Sequence, residues 1–360
     1  MPGQMKSLIG LLVATLVLPG CDLVRGDGNE VSSDPSAARV AEDSIGWNRQ
    51  LADAGDGYAR WVDADASGSG SPDGGASGGG GGDGRVEPDD AGAVFSPEPC
   101  SRDCLADLLT DTLNALVEHA PEALPLRSDA LFIEDSRVRE LGTGVWQSLT
   151  ALGRYRQDIL DPQDGVAGAH VVVEQDGKSA LMVLRLQVVG KQIEELEVQL
   201  TRSSDEGGGV FEPGSLRVPN EVTNAFVGGD TGMGRNLLMA VAEGYAVGLR
   251  AGGFAQQEGL FSDNAFRVEN GRITAGLGCT SSVPACMPPQ DQERSAFPSA
   301  VDYTAAVDQD KGLVWVVVDL GPESGSGDGS SVRVWAILKL LDGRIRAVET
   351  FQKLLPAEVL

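Results

Sequence analysis

Three arrangements of apolar residues follow one another along this chain. The first is an unbroken run from Ser7 to Leu18, holding Leu8, Ile9, Leu11, Leu12, Val13, Leu16, Val17 and Leu18. It is shorter than the ~20 residues that span a bilayer and has the length of the apolar core of an export signal, with Lys6 as its positive lead. The second is helical spacing: Leu105, Leu108, Leu109, Leu113, Leu116 and Val117, and later Leu237, Leu238, Val241, Ala242, Tyr245 and Leu249, each mark one buried helix face. Pro121 opens a short turn or second helix, and Val145 to Arg156 reads as a further helix. The third is strand patterning over Ala130–Glu134, His170–Glu174, Ala180–Val189 and Gln192–Leu200, with Asp176-Gly177 and Gly190-Lys191 where tight turns are needed. In the last of these, Leu196, Val198 and Leu200 alternate with Glu195, Glu197 and Gln199, so one face is expected to be wet.

The pattern then recurs. Ser262 to Phe266 echoes Ser128 to Phe132, and Glu269-Asn270-Gly271 echoes Glu134-Asp135-Ser136. Tyr303 precedes Asp308 as Tyr155 precedes Asp161. Leu313–Leu320 matches the strand holding His170, and Val332–Leu341 with Arg344–Gln352 matches the closing hairpin. Ile345 and Glu349 stand where Ile193 and Glu197 stand. The fold class expected is α+β: two units, each a helix layer over a curved antiparallel sheet, because one apolar helix face can cover one sheet face.

Composition divides the chain further. Residues 22–99 carry 16 acids, 5 bases and the glycine run Gly78–Gly82. Such a stretch buries too little apolar surface to offset chain entropy. The expected organisation is 1–20 signal peptide, 21–99 Gly/Ser/Asp-rich linker, 100–202 first unit, 203–235 inter-unit linker and 236–360 second unit. Within the linker, Ala41 to Tyr58 has the spacing of a short amphipathic helix or a sticky spot. Lys and Arg number 28 against 53 Asp and Glu, a net charge of −25. That excludes ordinary nucleic-acid backbone recognition, which needs a basic footprint, and a polybasic membrane-surface protein.

Leu18-Pro19-Gly20-Cys21 resembles the lipobox of bacterial lipoproteins, in which the cysteine is diacylated and becomes the new N-terminus. The resemblance implies a cell-envelope protein held to a membrane through acyl chains on Cys21, which more than one chain makes a stable anchor. Removing Cys21 leaves Cys100, Cys104, Cys279 and Cys286. An even number in an exported domain points to two disulfides. Three pairings are possible, the local Cys100–Cys104 and Cys279–Cys286 being favoured by proximity; CxxxC and Cx6C spacings fit a zinc site poorly.

The order of helices and strands resembles the cone-shaped fold of nuclear transport factor 2 and the SnoaL-like polyketide cyclases. Ala115 to His119, Leu124 to Leu126, Phe132 with Glu134, Gly142 to Trp146, Tyr155 and Asp161-Pro162 resemble an uncharacterised SnoaL-related domain of secreted proteins. Where that domain has Glu-Asn-Gly, the first copy has Glu134-Asp135-Ser136 and the second keeps Glu269-Asn270-Gly271. Enzymes of this fold use a carboxylate, often with His or Tyr, inside an apolar cone, where burial raises the acid's pKa. The resemblance therefore makes Glu134, Tyr155, Asp161, His170, Glu269, Tyr303 and Asp308 the catalytic candidates. Each also has a plainer reading: turn bonding for the acids, a satisfied hydroxyl in the core for the tyrosines. His119 lies at a helix end, and with only two histidines a three-His metal centre is excluded. No cofactor motif is found; Gly228 to Gly234 lacks the Lys-Ser/Thr of a phosphate loop. Three functions remain in view: a binding or interaction module with an apolar pocket for a small ligand, a lyase, isomerase or hydrolase acting on a small apolar or polyketide-like molecule, and a scaffold whose cone is filled.

Overall fold

The computed structural model describes residues 98–227, 233–280, 286–292, 301–321 and 331–356, with the backbone of 49–53 and 59–63. The export segment, Cys21 and nearly all of the expected linker lie outside the described residues. Within that linker β1 (Arg49–Asp53) and β2 (Ala59–Asp63) pair antiparallel, so the backbone at 49–53 is strand rather than helix. Among the described residues no helix is long and apolar enough to cross a membrane.

The first unit runs α1 (Arg102–Glu118), β3 (Leu126–Glu134), β4 (Arg137–Arg139), α2 (Val145–Ser148), β5 (Leu149–Asp161), β6 (Val166–Gln175), β7 (Lys178–Val189) and β8 (Gln192–Thr201). After α3 (Glu221–Asn224) the second runs α4 (Arg235–Ala251), β9 (Phe261–Glu269), β10 (Arg272–Gly276), β11 (Val301–Asp308), β12 (Leu313–Leu320), β13 (Ser331–Leu341) and β14 (Arg344–Leu355). The sheet orders are β4-β3-β8-β7-β6-β5 and β10-β9-β14-β13-β12-β11. Position by position these are one topology, so the chain is α+β with two like units. The sheets are mixed rather than antiparallel throughout. The chain passes from β4 to β5 without reversing, and the three turns of the meander bring β8 back beside β3 in the same direction, as β14 lies parallel to β9.

The helix expected over Val145–Arg156 is one turn, α2, followed by the strand β5. Register shifts at Leu149/Ala151 and Leu152/Arg156 break the two-residue alternation, so apolar positions fall at helical spacing in a bulged strand. Gly153 permits the bulge, since a Cβ there would lie 2.7 Å from the Val172 carbonyl oxygen. The bulged β11 hid in the same way.

Strand alternation sorts the core. Along β6, Ala167, Ala169, Val171 and Val173 join the cluster under α1, whose Leu105, Leu109, Leu113 and Leu116 are fully buried. In the second unit Val314, Val316 and Val318 lie in the cluster with Leu238, Ala242 and Tyr245 of α4. The residues between them in sequence point the other way. Tyr155, Ile159, Val172 and Val183 of the first sheet meet Trp315, Val317, Trp335, Ile337 and Phe351 of the second in a third cluster. The two sheets thus join through the faces that their helices leave bare, and each such side chain gains about 1.5–3 kcal/mol from burial. Gly168 is essential to this contact: a Cβ there would come within 2.1 Å of the Trp315 ring.

Ser101 caps α1 through the Cys104 N–H, and His119 closes it in the left-handed region with φ 58°. The His119 ring bonds the Trp146 carbonyl. Both local disulfides form, Cys100–Cys104 at the start of α1 and Cys279–Cys286 in the insertion after β10.

Candidate functional site

Register gives the equivalence between the units. Asp161 pairs with Val166 and Asp308 with Leu313; Arg185 pairs with Glu197 and Ile337 with Glu349. Glu197 and Glu349 therefore occupy the same slot, on the face where the sheets meet.

At Glu349 the slot is sealed. Tyr155 donates to Oε2, and His170 Nδ1 lies 2.9 Å from Oε1. The Trp315 indole N–H, which can only donate, reaches His170 Nε2 at 3.2 Å. The imidazole thus carries its proton on Nδ1 and gives it to the carboxylate. Phe351 stacks on the ring with centroids 4.3 Å apart. Tyr155 and His170 are 1% and 0% exposed, and burial, with the Glu349 charge, pushes the Tyr155 phenol well above its ordinary range. The structure thus brings two sequence candidates together around a third residue, Glu349, but deep between the sheets.

The aspartates form a reciprocal clasp. Arg102, the first residue of α1, holds Asp308 of the other unit through two bonds of 2.8 Å. Arg235, the first residue of α4, holds Asp161 of the first unit at 2.9 and 2.8 Å. Each carboxylate also accepts a backbone N–H from the opposite unit, Leu160 for Asp308 and Val307 for Asp161, and one from its own turn, Lys311 and Asp164. Both aspartates are buried.

Glu134 and Glu269 end β3 and β9. Glu134 accepts the Val145 N–H at 2.9 Å beneath Gly144, where a Cβ would collide with it at 1.9 Å. Glu269 lies 3.4 Å from the Arg267 guanidinium. The residue after each has positive φ, 49° at Asp135 and 43° at Asn270, as the first position of a tight hairpin turn requires. Asp135 Oδ1 accepts from Leu200 N at 3.0 Å and Asn270 Oδ1 from the equivalent Gln352 N at 2.8 Å. The departure in the motif changes the neighbours: Asp135 reaches Lys353 at 2.6 Å, while Asn270 Nδ2 donates to the Gly207 and Val210 carbonyls.

At Glu197 the slot is open. A cavity of about 420 Å³ is lined by Ile133, Ser136, Arg185, Glu195, Glu197, Tyr303 and Arg333. Arg333 is 3.1 Å from Glu197 and holds Asp319 at 2.6 and 2.7 Å. Arg185 bonds Glu195 and lies 3.6 Å from Glu197. Burial pushes the Glu197 acid up, against the pull of Arg333 and Arg185. Tyr303 is 41% exposed, and its partial burial, with the Glu197 charge, raises the phenol. A second cavity, of about 720 Å³, lies beyond the end of α4 with Phe254 and Phe261 beside Glu258, Asp263, Asp291 and Arg344. Both cavities are edged by charged groups, whereas the helix–sheet interiors, where an apolar pocket was expected, hold fully buried leucines and valines.

Residues 232–352 match a family described as a domain of unknown function (DUF8021). The match takes in the second unit from α4 to β14. No curated protein matches the chain. A crystal structure of a de novo designed protein with curved β-sheet is similar over 28% of this chain and 88% of that one, at 18% identity and a TM-score of 0.24.

Sequence reasoning passed over Arg102, Arg185, Arg235 and Arg333, whose partners are distant in the chain. It noted Glu197 and Glu349 as matched positions without drawing a role from them. The signal available was that pair of acids, repeated in strands where an ion is costly to bury without partners.

Proposed function

We propose that this chain is a lipid-anchored protein of the cell envelope whose folded, SnoaL-like pair of units binds rather than catalyses. Lys6, the apolar run to Leu18 and Cys21 support export and acylation, and two disulfides suit an oxidising compartment. One observation carries the binding reading. Tyr155, His170 and Glu349 make the constellation an enzyme of this fold would use, and it is spent internally, each member bonded to another and closed to solvent. The clasps use Asp161 and Asp308 in the same internal way.

The test has two arms. Labelled palmitate supplied to cells making the full chain is expected to appear on the protein, with the label and membrane association lost in Cys21→Ala. An unlabelled, freely soluble wild-type protein would sink the anchor. For the binding reading, the acid-base variant His170→Gln is expected to change stability without altering any turnover.

A second reading, a lyase, isomerase or hydrolase, has one observation in its favour. Glu197 lines an open cavity with its acid raised, as a general base needs. Against it, Arg333 and Arg185 bracket that carboxylate as an ion-paired group. Turnover abolished by Glu197→Gln with binding retained would decide for the enzyme.

A further inference from the structure

Two residues that line the cavity at Glu197 carry polar atoms that the fold does not use. Ser136 Oγ and Arg185 Nε are both buried and have no hydrogen-bond partner among the described residues. Buried donors are nearly always paired, so such groups call for an explanation. An unpaired buried group costs about 1–3 kcal/mol, and the two residues that carry these atoms line one cavity whose size is that of a small-molecule site, so that rotation of either side chain on binding would turn its free donor toward a ligand.

The other unit shows that this arrangement is not imposed by the fold. The equivalent of Ser136 is Gly271, where a Cβ would lie 2.2 Å from the Glu212 carbonyl, so the connecting chain fills the space. Arg185 is replaced by Ile337 and Glu195 by Ala347, as the matched registers give. Three polar side chains have thus collected in one copy at positions that are apolar in the other, where the slot is sealed.

The charges restrict what could enter. Arg185 and Arg333 are each already paired, with Glu195 and with Asp319, and Glu197 lies between them. A ligand anion would meet three carboxylates without a spare cation. A ligand cation would be drawn by the net charge but, having no lone pair to offer, would leave the Arg185 and Ser136 donors unpaired. A hydroxyl group satisfies both sides, because it donates to a carboxylate lone pair and accepts from Nε–H or Ser O–H. Tyr303, an aromatic surface 41% exposed, and Ile133 supply the apolar wall against which the C–H face of a ring can lie.

We infer that the cavity formed by Ser136, Arg185, Glu195, Glu197, Tyr303 and Arg333 is a binding site for a neutral, polyhydroxylated ligand such as a sugar ring. This deepens the binding reading and rests on it. The site lies where the two units meet, since Tyr303 and Arg333 come from the second and the rest from the first, so neither unit alone completes it.

The experiment is saturation-transfer NMR followed by titration on the purified full chain. The probes are glucose, galactose and N-acetylglucosamine, with glucose 6-phosphate and protonated glucosamine as charged counterparts. At least one neutral sugar is expected to bind, and the charged sugars about tenfold more weakly or not at all. Tyr303→Ala should weaken binding about tenfold and Ser136→Gly about threefold. Ser136 has φ 65°, so glycine there keeps the turn and the fold. Unchanged melting temperatures in Ser136→Gly would assign its loss of binding to Oγ.

Silence from all three neutral sugars, preference for a charged one, or equal binding by both variants would overturn the site. Binding of an apolar probe such as lauric acid in place of any sugar would overturn the ligand class and leave the binding reading standing. Turnover of a neutral sugar at this cavity would keep the site and remove the binding reading.

Discussion

Glu349 and Glu197 stand at one position of one topology, and their surroundings have nothing else in common. Glu349 accepts from a tyrosine and from a histidine whose ring stacks on a phenylalanine and accepts in turn from a tryptophan. Glu197 sits between two arginines at the wall of a cavity, with an exposed tyrosine opposite. The difference comes from what each sheet contributes to the shared face. The second sheet supplies Trp315, Trp335 and Phe351; the equivalent positions of the first hold Gly168, Val183 and Gln199. The large side chains of one copy fill the small positions of the other. That filling closes the space around Glu349. Around Glu197 the second unit brings Tyr303 and Arg333, which leave a gap edged by charged residues.

The comparison predicts unequal costs. Glu349→Ala leaves two buried donors, Tyr155 and His170, without their acceptor, and should lower unfolding free energy by about 3 kcal/mol. Glu197→Ala leaves Arg185 and Arg333 with their other partners, Glu195 and Asp319, and should cost about 1 kcal/mol. Urea unfolding of the two variants measures both, and equal losses would break the comparison. Gly168→Ala presses a methyl into the Trp315 ring and should cost about 2 kcal/mol through overpacking, visible as a drop in melting temperature. The clasps, in contrast, are matched. Arg102→Ala and Arg235→Ala should each cost about 1–2 kcal/mol, discounted because both arginines are partly exposed. A large inequality between them would show that the two ends of the assembly are not alike.

The smallest effect concerns pH. The Glu197 acid is raised by burial, so the folded state binds its proton more tightly than the unfolded chain. Stability attributable to this group is therefore greatest at low pH and declines as pH rises from the ordinary glutamate range through the raised folded value. Glu197→Gln should flatten that part of the stability–pH curve. A slope unchanged by the substitution would mean that the carboxylate is already well solvated.

Much of this was legible in the chain, and the exceptions have physical causes. The helix stripes of α1 and α4 could be read because each buries one clean face. In the hairpin from β7 to β8 the turn and the alternation were legible, but the face expected to be wet is buried, with Glu197 7% and Gln199 3% exposed, because that side of the sheet packs on the second unit. The repeat could be read because Glu134 and Glu269, Ile193 and Ile345, and Glu197 and Glu349 fall at matching points of the pattern. Strand β5 was misread since its bulges destroy the two-residue period. The matching of Tyr155 with Tyr303 needs the same qualification: Tyr303 pairs with Val317, whereas Tyr155 falls inside a register shift and pairs with no residue of β6. The clasps and the open cavity were out of reach, because Arg102 and Asp308 are separated by the whole first unit and meet only when the sheets pack.

The sealed and open environments can be told apart most directly by nitrating tyrosines on the native full chain with tetranitromethane and locating the products by peptide mass spectrometry. Tyr303, 41% exposed, should be modified before Tyr155 even though its raised phenol slows the reaction, and Tyr155, 1% exposed and bonded to Glu349, should be protected until the protein unfolds. Modification of Tyr155 in the folded protein at a rate comparable to Tyr303 would contradict the account.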